Sequence, residues 1–404
     1  MIKQNFVTKN YIQKKHLYNN SIKKLSKKYK KIIKEINYDV NSLDKTLNVL
    51  SDKYEFNFKI KNLKKFKKYK TIAIIGMGGS ILGAEAIYSF LKKKIKKKVY
   101  FFNNIDAKKN TIFKKKKNLN KVLFLIISKS GNTIETLSNF STLNIIKKNA
   151  KNLIIISEKK NNLLYLISKK YNLFYIEHKS YIGGRYSVLS EVGMLPAYFM
   201  GVNIFKIRSK IKIFLTSKKI FLKDSALKLA NLLNSKKFNN LIFLNYSPEI
   251  EKFLYWSQQL IAESLGKKGK GFLPVISSAP KDHHSLLQLY LDGPRDKIFN
   301  IFSLDDTTKE KVVFKKDIDS KSFLNKKNLN FIKNAQKRAL IASLKKNKIP
   351  FREFKINKVN EEVIGELFSY FVLETVIVGK LIKINPFDQP AVEQVKTYTK
   401  KFLT

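Results

Sequence analysis

The sequence predicts an α/β protein of two doubly wound parallel-sheet domains flanked by helices, with a helical arm before them and a short helix after them. Three observations carry that prediction. Short β-branched apolar runs alternate with stretches of helical period, the pattern of strands covered on both faces. The alternation comes in two separate series, and 404 residues with 44% hydrophobic content give room for two to three domains. Finally, two of the runs pass directly into glycine- or hydroxyl-rich turns that open a helix, as βα units do.

Residues 1–50 read as the helical arm. In the first series, strands are expected at 71–75, 122–127, 153–156 and 173–176, with helices near 80–93, 131–149 and 161–172. The Lys-rich runs at 92–98 and 114–117 read as solvated loops and helix ends. An amphipathic stretch at 217–235 leads into the second series. Its strands are expected at 241–245, 272–276, 298–304 and 351–356, and its helices near 249–265, 283–291 and 328–346. A long apolar stretch at 361–382 is interrupted by Glu366, Glu374 and Lys380, charges a membrane-spanning helix would not tolerate, so it reads as a core helix. Asn385-Pro386 then breaks the chain before a last helix near 390–403. The divisions are an arm at 1–50, a first domain at 51–215, a second at 216–385 and a C-terminal helix at 386–404.

The chain carries 81 Lys and Arg against 30 Asp and Glu, a formal net charge of +51. Charge of that size is the usual footprint of nucleic acid or a membrane surface. Composition points elsewhere. Five of the cations are Arg (Arg185, Arg208, Arg295, Arg338 and Arg352), the residue that reads phosphates and bases bidentately. The lysines are spread along the whole chain beside abundant Asn, Ile, Phe and Tyr, which reads as compositional drift; neither a nucleic-acid nor a membrane partner is expected. With no Cys, the chain has no disulfide, no thiolate nucleophile and no Cys-ligated metal centre. The first residues lack the apolar core of a secretory signal, and a cytoplasmic location is expected.

The first predicted strand runs into Gly76-Met77-Gly78-Gly79-Ser80. A glycine-rich turn at a helix start exposes backbone N–H groups and the positive end of the helix dipole, which suits an oxyanion. A third dinucleotide-binding glycine would fall at Ile81, and no P-loop Lys-Ser/Thr pair follows, so phosphate is expected rather than a nucleotide. The next strand runs into Ser128-Lys129-Ser130-Gly131-Asn132-Thr133, whose hydroxyls gather at another helix start. Ser and Thr also serve as N-caps with no ligand at all. Two such turns at the C-terminal ends of strands in one sheet, where open α/β sheets bind ligands, favour a phosphate site.

The strings SKSGNTIET and GMGGSILG resemble the phosphate-binding loop of the sugar isomerase (SIS) domain and its glycine-rich companion. GGRYSVLSEVG at 183–193 and FDQPAVEQVK at 387–396 resemble the two signatures of the glucose-6-phosphate isomerase family. AESLGKKGK at 262–270 and DHHSLLQLYLDG at 282–293 fall between them in the family's order. The resemblance implies two SIS-type domains and a cofactor-free, metal-free aldose–ketose isomerase of glycolysis and gluconeogenesis. Such an enzyme interconverts glucose 6-phosphate and fructose 6-phosphate through a cis-enediol. It further implies that Ser128, Lys129, Ser130 and Thr133 hold the phosphate, with Gly79, Ser80 and Gln389 contacting the sugar. Arg185 would stabilise the enediolate, Glu263 would move the proton, and His284 and Lys396 would open the ring. In the family this histidine reaches a neighbouring subunit's site, which implies a homodimer. A phosphoglucose/phosphomannose isomerase and a non-catalytic SIS sugar-phosphate sensor are the alternatives.

The residues also read on their own chemistry. Glu263 lies off the apolar stripe of its helix, on a face with Trp256 and Gln259, and without the motif would pass as an exposed Glu paired to a lysine. His284 follows Asp282, an expected N-cap, while His283 and His284 diverge too far on a helix to share a metal. Arg185 after two glycines offers a planar cation for an oxyanion. Lys396, three residues after Glu393, fits an ordinary surface pair equally well. Four places depart from the family pattern: Asn132, Glu191, His283 and Pro390-Ala391. Glu191 stands near enough to Arg185 in sequence to change the charge of the site.

Overall fold

A computed structural model describes residues 6–216, 220–305, 310–314 and 322–404. The first element of the described residues is not a helix but a strand, β1 (Phe6–Asn10), followed by the helix Asn19–Asn41. The first domain then contributes β2 (Thr71–Ile75), β3 (Lys98–Phe102), β4 (Val122–Ile127), β5 (Leu153–Ser157) and β6 (Phe174–Glu177). They form an all-parallel sheet in the order β3-β2-β4-β5-β6. All six residues of β4 are buried, as an uninterrupted apolar run demands of a central strand. The edge strand β3 was not legible in sequence. Its KVYFF begins at the end of the lysine run read as loop, and only Phe102 is fully buried, so no clear apolar signal marks it.

The second sheet comprises β7 (Asn240–Asn245), β8 (Leu273–Ser278), β9 (Lys297–Leu304) and β10 (Phe351–Ile356), all mutually parallel where they pair. Its order is β1-β10-β9-β7-β8, with β1 running antiparallel to β10. The expectation of an all-parallel second sheet and a purely helical arm is corrected here: the arm's first strand completes the distant sheet. Pairing between positions some 350 residues apart leaves no local trace. The 217–235 stretch is a helix from Ile220 to Ser235, and residues 217–219 lie outside the described residues.

The helix Glu361–Leu381 is almost entirely buried, which explains why its apolar residues run all round it. It packs on the helices Ile220–Ser235, Ile204–Arg208 and Glu251–Leu265. Gly365 sits at the closest approach, where a Cβ would lie 1.8 Å from the Ile207 carbonyl oxygen. Its Glu374 accepts from Arg352 at 2.6 Å and from Tyr370 at 2.7 Å, a buried pair on the second sheet's side. Among the described residues, no helix is long and apolar enough to cross a membrane. The helix Glu251–Leu265 packs against Leu82–Phe90 of the first domain, and Gln259 near its end lies against Gly78, in the turn that follows β2.

Candidate active site

Because β2 and β4 are parallel neighbours with Ile75 opposite Ile126, the turns that follow them lie side by side. After β4, Gly131 adopts φ +67°, and a Cβ there would meet Asn162 Oδ1 at 1.8 Å, so a glycine is required. Three hydroxyls converge in this turn. Ser128 Oγ lies 2.8 Å and Ser130 Oγ 3.4 Å from Thr133 Oγ1. Thr133 is the N-cap of the helix Ile134–Thr142, yet its side chain makes no capping hydrogen bond. The ligand-free explanation for a Thr at this position is therefore unfilled, and the hydroxyls cluster beside a helix start that suits an anion. Asn132 Oδ1 accepts from the Leu163 N–H at 2.9 Å, tying this turn to the next one. Lys129 Nζ donates to the Ser180 carbonyl at 2.8 Å and stands 3.5 Å from Glu158 Oε1; burial is the main cause of its lowered pKa.

The companion turn Gly78–Ser80 is pressed onto the loop that carries Arg185. A Cβ on Gly79 would lie 2.2 Å from the Gly184 carbonyl carbon and 2.7 Å from the Arg185 nitrogen, so only glycine allows the approach. Ser80 ends this turn, half-buried.

The Arg185 side chain is 2% exposed and all five of its N–H donors are used. Nε donates to Ser264 Oγ at 2.8 Å, and Nη2 donates to the carbonyls of Pro386 at 2.7 Å and Asp388 at 2.8 Å. Nη1 donates to Gln389 Oε1 at 2.5 Å and to Glu263 Oε2 at 3.3 Å. The Nε contact continues as a chain: Ser264 Oγ is 2.8 Å from Tyr186 Oη, which donates to the Pro386 carbonyl at 2.8 Å. This scaffold fixes the guanidinium plane and turns Nη1 toward the carboxylate.

Glu263 keeps 28% of its side chain exposed and accepts at Oε1 from Gln259 Nε2 at 2.9 Å. With Oε1 and Oε2 each held from one side, the carboxylate is oriented but still open to a ligand. A cavity of about 620 Å³ opens on it, between the 266–270 turn and the 384–392 loop, and Gln389 lines it. A carboxylate open to a cavity beside an anchored cation is an arrangement suited to proton transfer next to a carbonyl.

A family model described as phosphoglucose isomerase matches residues 27–404. This chain belongs to the phosphoglucose isomerase family. It is 34% identical over 351 residues to a glucose-6-phosphate isomerase of Methanocaldococcus jannaschii, covering 83% of this chain and 85% of the relative. To a glucose-6-phosphate isomerase of Campylobacter jejuni it is 30% identical over 379 residues, covering 89% and 90%. The crystal structure of a glucose-6-phosphate isomerase from Chlamydia trachomatis superimposes with a TM-score of 0.76 at 18% identity, covering 99% of this chain and 88% of that one, which speaks for the fold.

The other residues carried over from the family motifs are not gathered into this cluster by a single chain. His284 is exposed at the end of the single turn Lys281–His284. Asp282 does not cap a helix for it, as the sequence had led us to expect. Its Oδ2 accepts from Ser277 Oγ at 2.9 Å and Ser278 N–H at 2.7 Å, and the following helix begins only at Leu287. The adjacent His283 instead meets Tyr246 Oη at 2.9 Å. Lys396 stands on the exposed helix Val392–Leu403, paired with Glu393 at 2.6 Å.

Two further corrections concern neighbours of the site. Trp256 is 1% exposed and packs against Phe253 and Phe368, so it does not share the open face of Glu263. Glu191 turns away from Arg185: its carboxylate accepts from Tyr54 Oη at 2.7 Å and the Asn57 N–H at 2.8 Å, clamping the 54–57 loop. Ser264, Tyr186 and the positioning role of Gln259 were missed in sequence. The four-residue spacing of Gln259 and Glu263, one turn apart on a helix face, was the one available signal.

Proposed function

We propose that this chain interconverts glucose 6-phosphate and fructose 6-phosphate in the cytoplasm, within glycolysis and gluconeogenesis. The reading is carried by the Glu263–Arg185 pair, a half-exposed base 3.3 Å from a buried, fully anchored cation. Glu263 removes the proton from C2 of the open-chain aldose and returns it to C1, through a cis-enediol. The charge that grows on the carbonyl oxygen meets the Nη1 edge of Arg185, displacing its contact with Gln389 or Glu263. The phosphate rests on the hydroxyls of Ser128, Ser130 and Thr133 with Lys129 beside it, and Gly79, Ser80 and Gln389 face the sugar.

His284 and Lys396 open the ring. Since His284 is exposed and makes no hydrogen bond to the Arg185 cluster of its own chain, a second copy of the chain presents it, and the working enzyme is a homodimer. A sugar-phosphate sensor would have no need of a base beside an anchored cation.

Conversion of fructose 6-phosphate in a coupled assay tests the reaction, and Glu263→Gln tests the base. Gln keeps the shape and an acceptor for Gln259 but cannot take a proton, so turnover should fall by about 10²–10⁴ while sugar phosphate binding persists. Exchange of the C2 hydrogen with solvent deuterium, followed by NMR, should fall with it. Near-native exchange in this variant would remove Glu263 from the mechanism. Sedimentation of the active protein as a single chain would remove the dimer.

A further inference from the structure

Where β9 and β10 begin lies a second cavity, of about 380 Å³. It shares no lining residue with the cavity that opens on Glu263. The segment between β1 and the helix Asn19–Asn41 closes one side of it, pinned where the Tyr18 N–H donates to Asn231 Oδ1 at 3.1 Å. The cavity volume is that of a small-molecule site, about 300–1,000 Å³.

Its rim is cationic: Lys15, Arg295 and Lys348 line it, and no Asp or Glu does. Unpaired lysines mean little in a chain with 76 of them. Arginine is more telling. Arg185 and Arg352 are bound to carboxylates, Arg208 to three backbone carbonyls, and Arg338 stands over the Phe331 ring. Among the described residues, Arg295 alone of the five has no hydrogen bond, ion pair or ring contact, and it faces this cavity. Partial desolvation, and then repulsion from Lys348 and Arg295, lower the pKa of Lys15, as expected of cations brought together without a counter-charge.

The remaining walls are ring-bearing. His16 donates through Nε2 to the Lys348 carbonyl at 2.9 Å and stands edge-on to Phe238, with Tyr18 exposed beside it. Burial lowers the His16 pKa, which keeps the ring neutral. A hexose phosphate would call for carboxylates to accept from its hydroxyls, and the side chains of the lining offer Asn347 and the hydroxyls of Tyr18 and Tyr290, with no carboxylate. A planar, weakly polar ring joined to several phosphates matches both halves of the site.

We propose that this cavity is a nucleotide-binding site, with the base against His16, Tyr18 and Phe238 and the phosphates at Lys15, Arg295 and Lys348. The test is calorimetric titration of the full-length protein with ATP at about 0.15 M salt, where long-range attraction to the basic surface is screened beyond about 8 Å. Saturable binding of one ATP per chain is expected, undisturbed by saturating fructose 6-phosphate. Arg295→Glu combined with Lys348→Glu should weaken it at least tenfold. Lys108→Glu combined with Lys115→Glu, the same charge change on the exposed helix Ala107–Lys116 of the other domain, should weaken it less than twofold. Inorganic tripolyphosphate, which has the charge without the ring, should bind at least tenfold more weakly than ATP. Equal losses in the two double variants, equal binding of tripolyphosphate, displacement of ATP by fructose 6-phosphate, or no saturable binding would each overturn the proposal.

Discussion

Replacing Arg185 by Lys separates the two things its side chain does, holding the 386–389 loop and presenting a planar cation to the substrate. At about 1 kcal/mol for each of five hydrogen bonds, the loss would come to about 5 kcal/mol. The acceptors, however, are mostly doubly served. The Pro386 carbonyl also accepts from Tyr186 Oη at 2.8 Å, the Asp388 carbonyl from Lys267 Nζ at 2.6 Å, and Glu263 from Gln259 Nε2 at 2.9 Å. Ser264 Oγ keeps Tyr186 Oη, and Gln389 is half-exposed and can turn to water. The lysine retains the positive charge, so Glu263 is not left beside an empty space. We expect a net cost of about 2 kcal/mol and a fall in Tm of a few degrees. Catalysis should suffer far more, because one ammonium cannot reproduce the Nη1 edge in line with a developing oxyanion; kcat should drop by about 10²–10³. Melting curves and steady-state kinetics on one preparation decide the matter. A kcat within about threefold of the parent would refute the oxyanion role. A collapse of Tm by more than about 10 °C would refute the argument from doubly served acceptors.

Three other outcomes follow from the same geometry. Thr133→Val removes the hydroxyl on which Ser128 and Ser130 converge without removing a cap bond, so KM for fructose 6-phosphate and the inhibition constant for inorganic phosphate should each rise about tenfold with Tm nearly unchanged. Glu191→Ala strips the acceptor from Tyr54 Oη and the Asn57 N–H and should lower stability by about 3 kcal/mol in thermal or urea unfolding, while kcat per folded molecule stays within about twofold. His178 is buried, and mainly for that reason its pKa is lowered from 6.5 to about 4. Between those values the unfolded chain binds a proton that the folded chain refuses. Its contribution is therefore complete above about pH 6.5 and lost as the pH falls toward 4, by about 3 kcal/mol in all. His178→Asn should flatten the urea midpoint across that window, and an unchanged slope would show that other groups set it.

The sequence by itself determined the two series of buried strands, because a run such as Val122–Ile127 is apolar at every position and can only sit between layers. It also singled out the turn at 128–133, Arg185 and Glu263 as candidates, since those readings depend on short strings whose glycines and hydroxyls act within one turn. The tertiary structure decided what depends on distant partners. β1 is a strand because β10 offers it an edge, and Glu191 is a clamp because the 54–57 loop reaches it, not a charge beside Arg185. Gln259 became a positioning residue only once Gly78 and Arg185 closed around its helix. Local pattern records which face of an element must be buried; it carries no record of which neighbour does the burying, and the Arg185 scaffold is assembled from segments about 80 and 200 residues away in the chain.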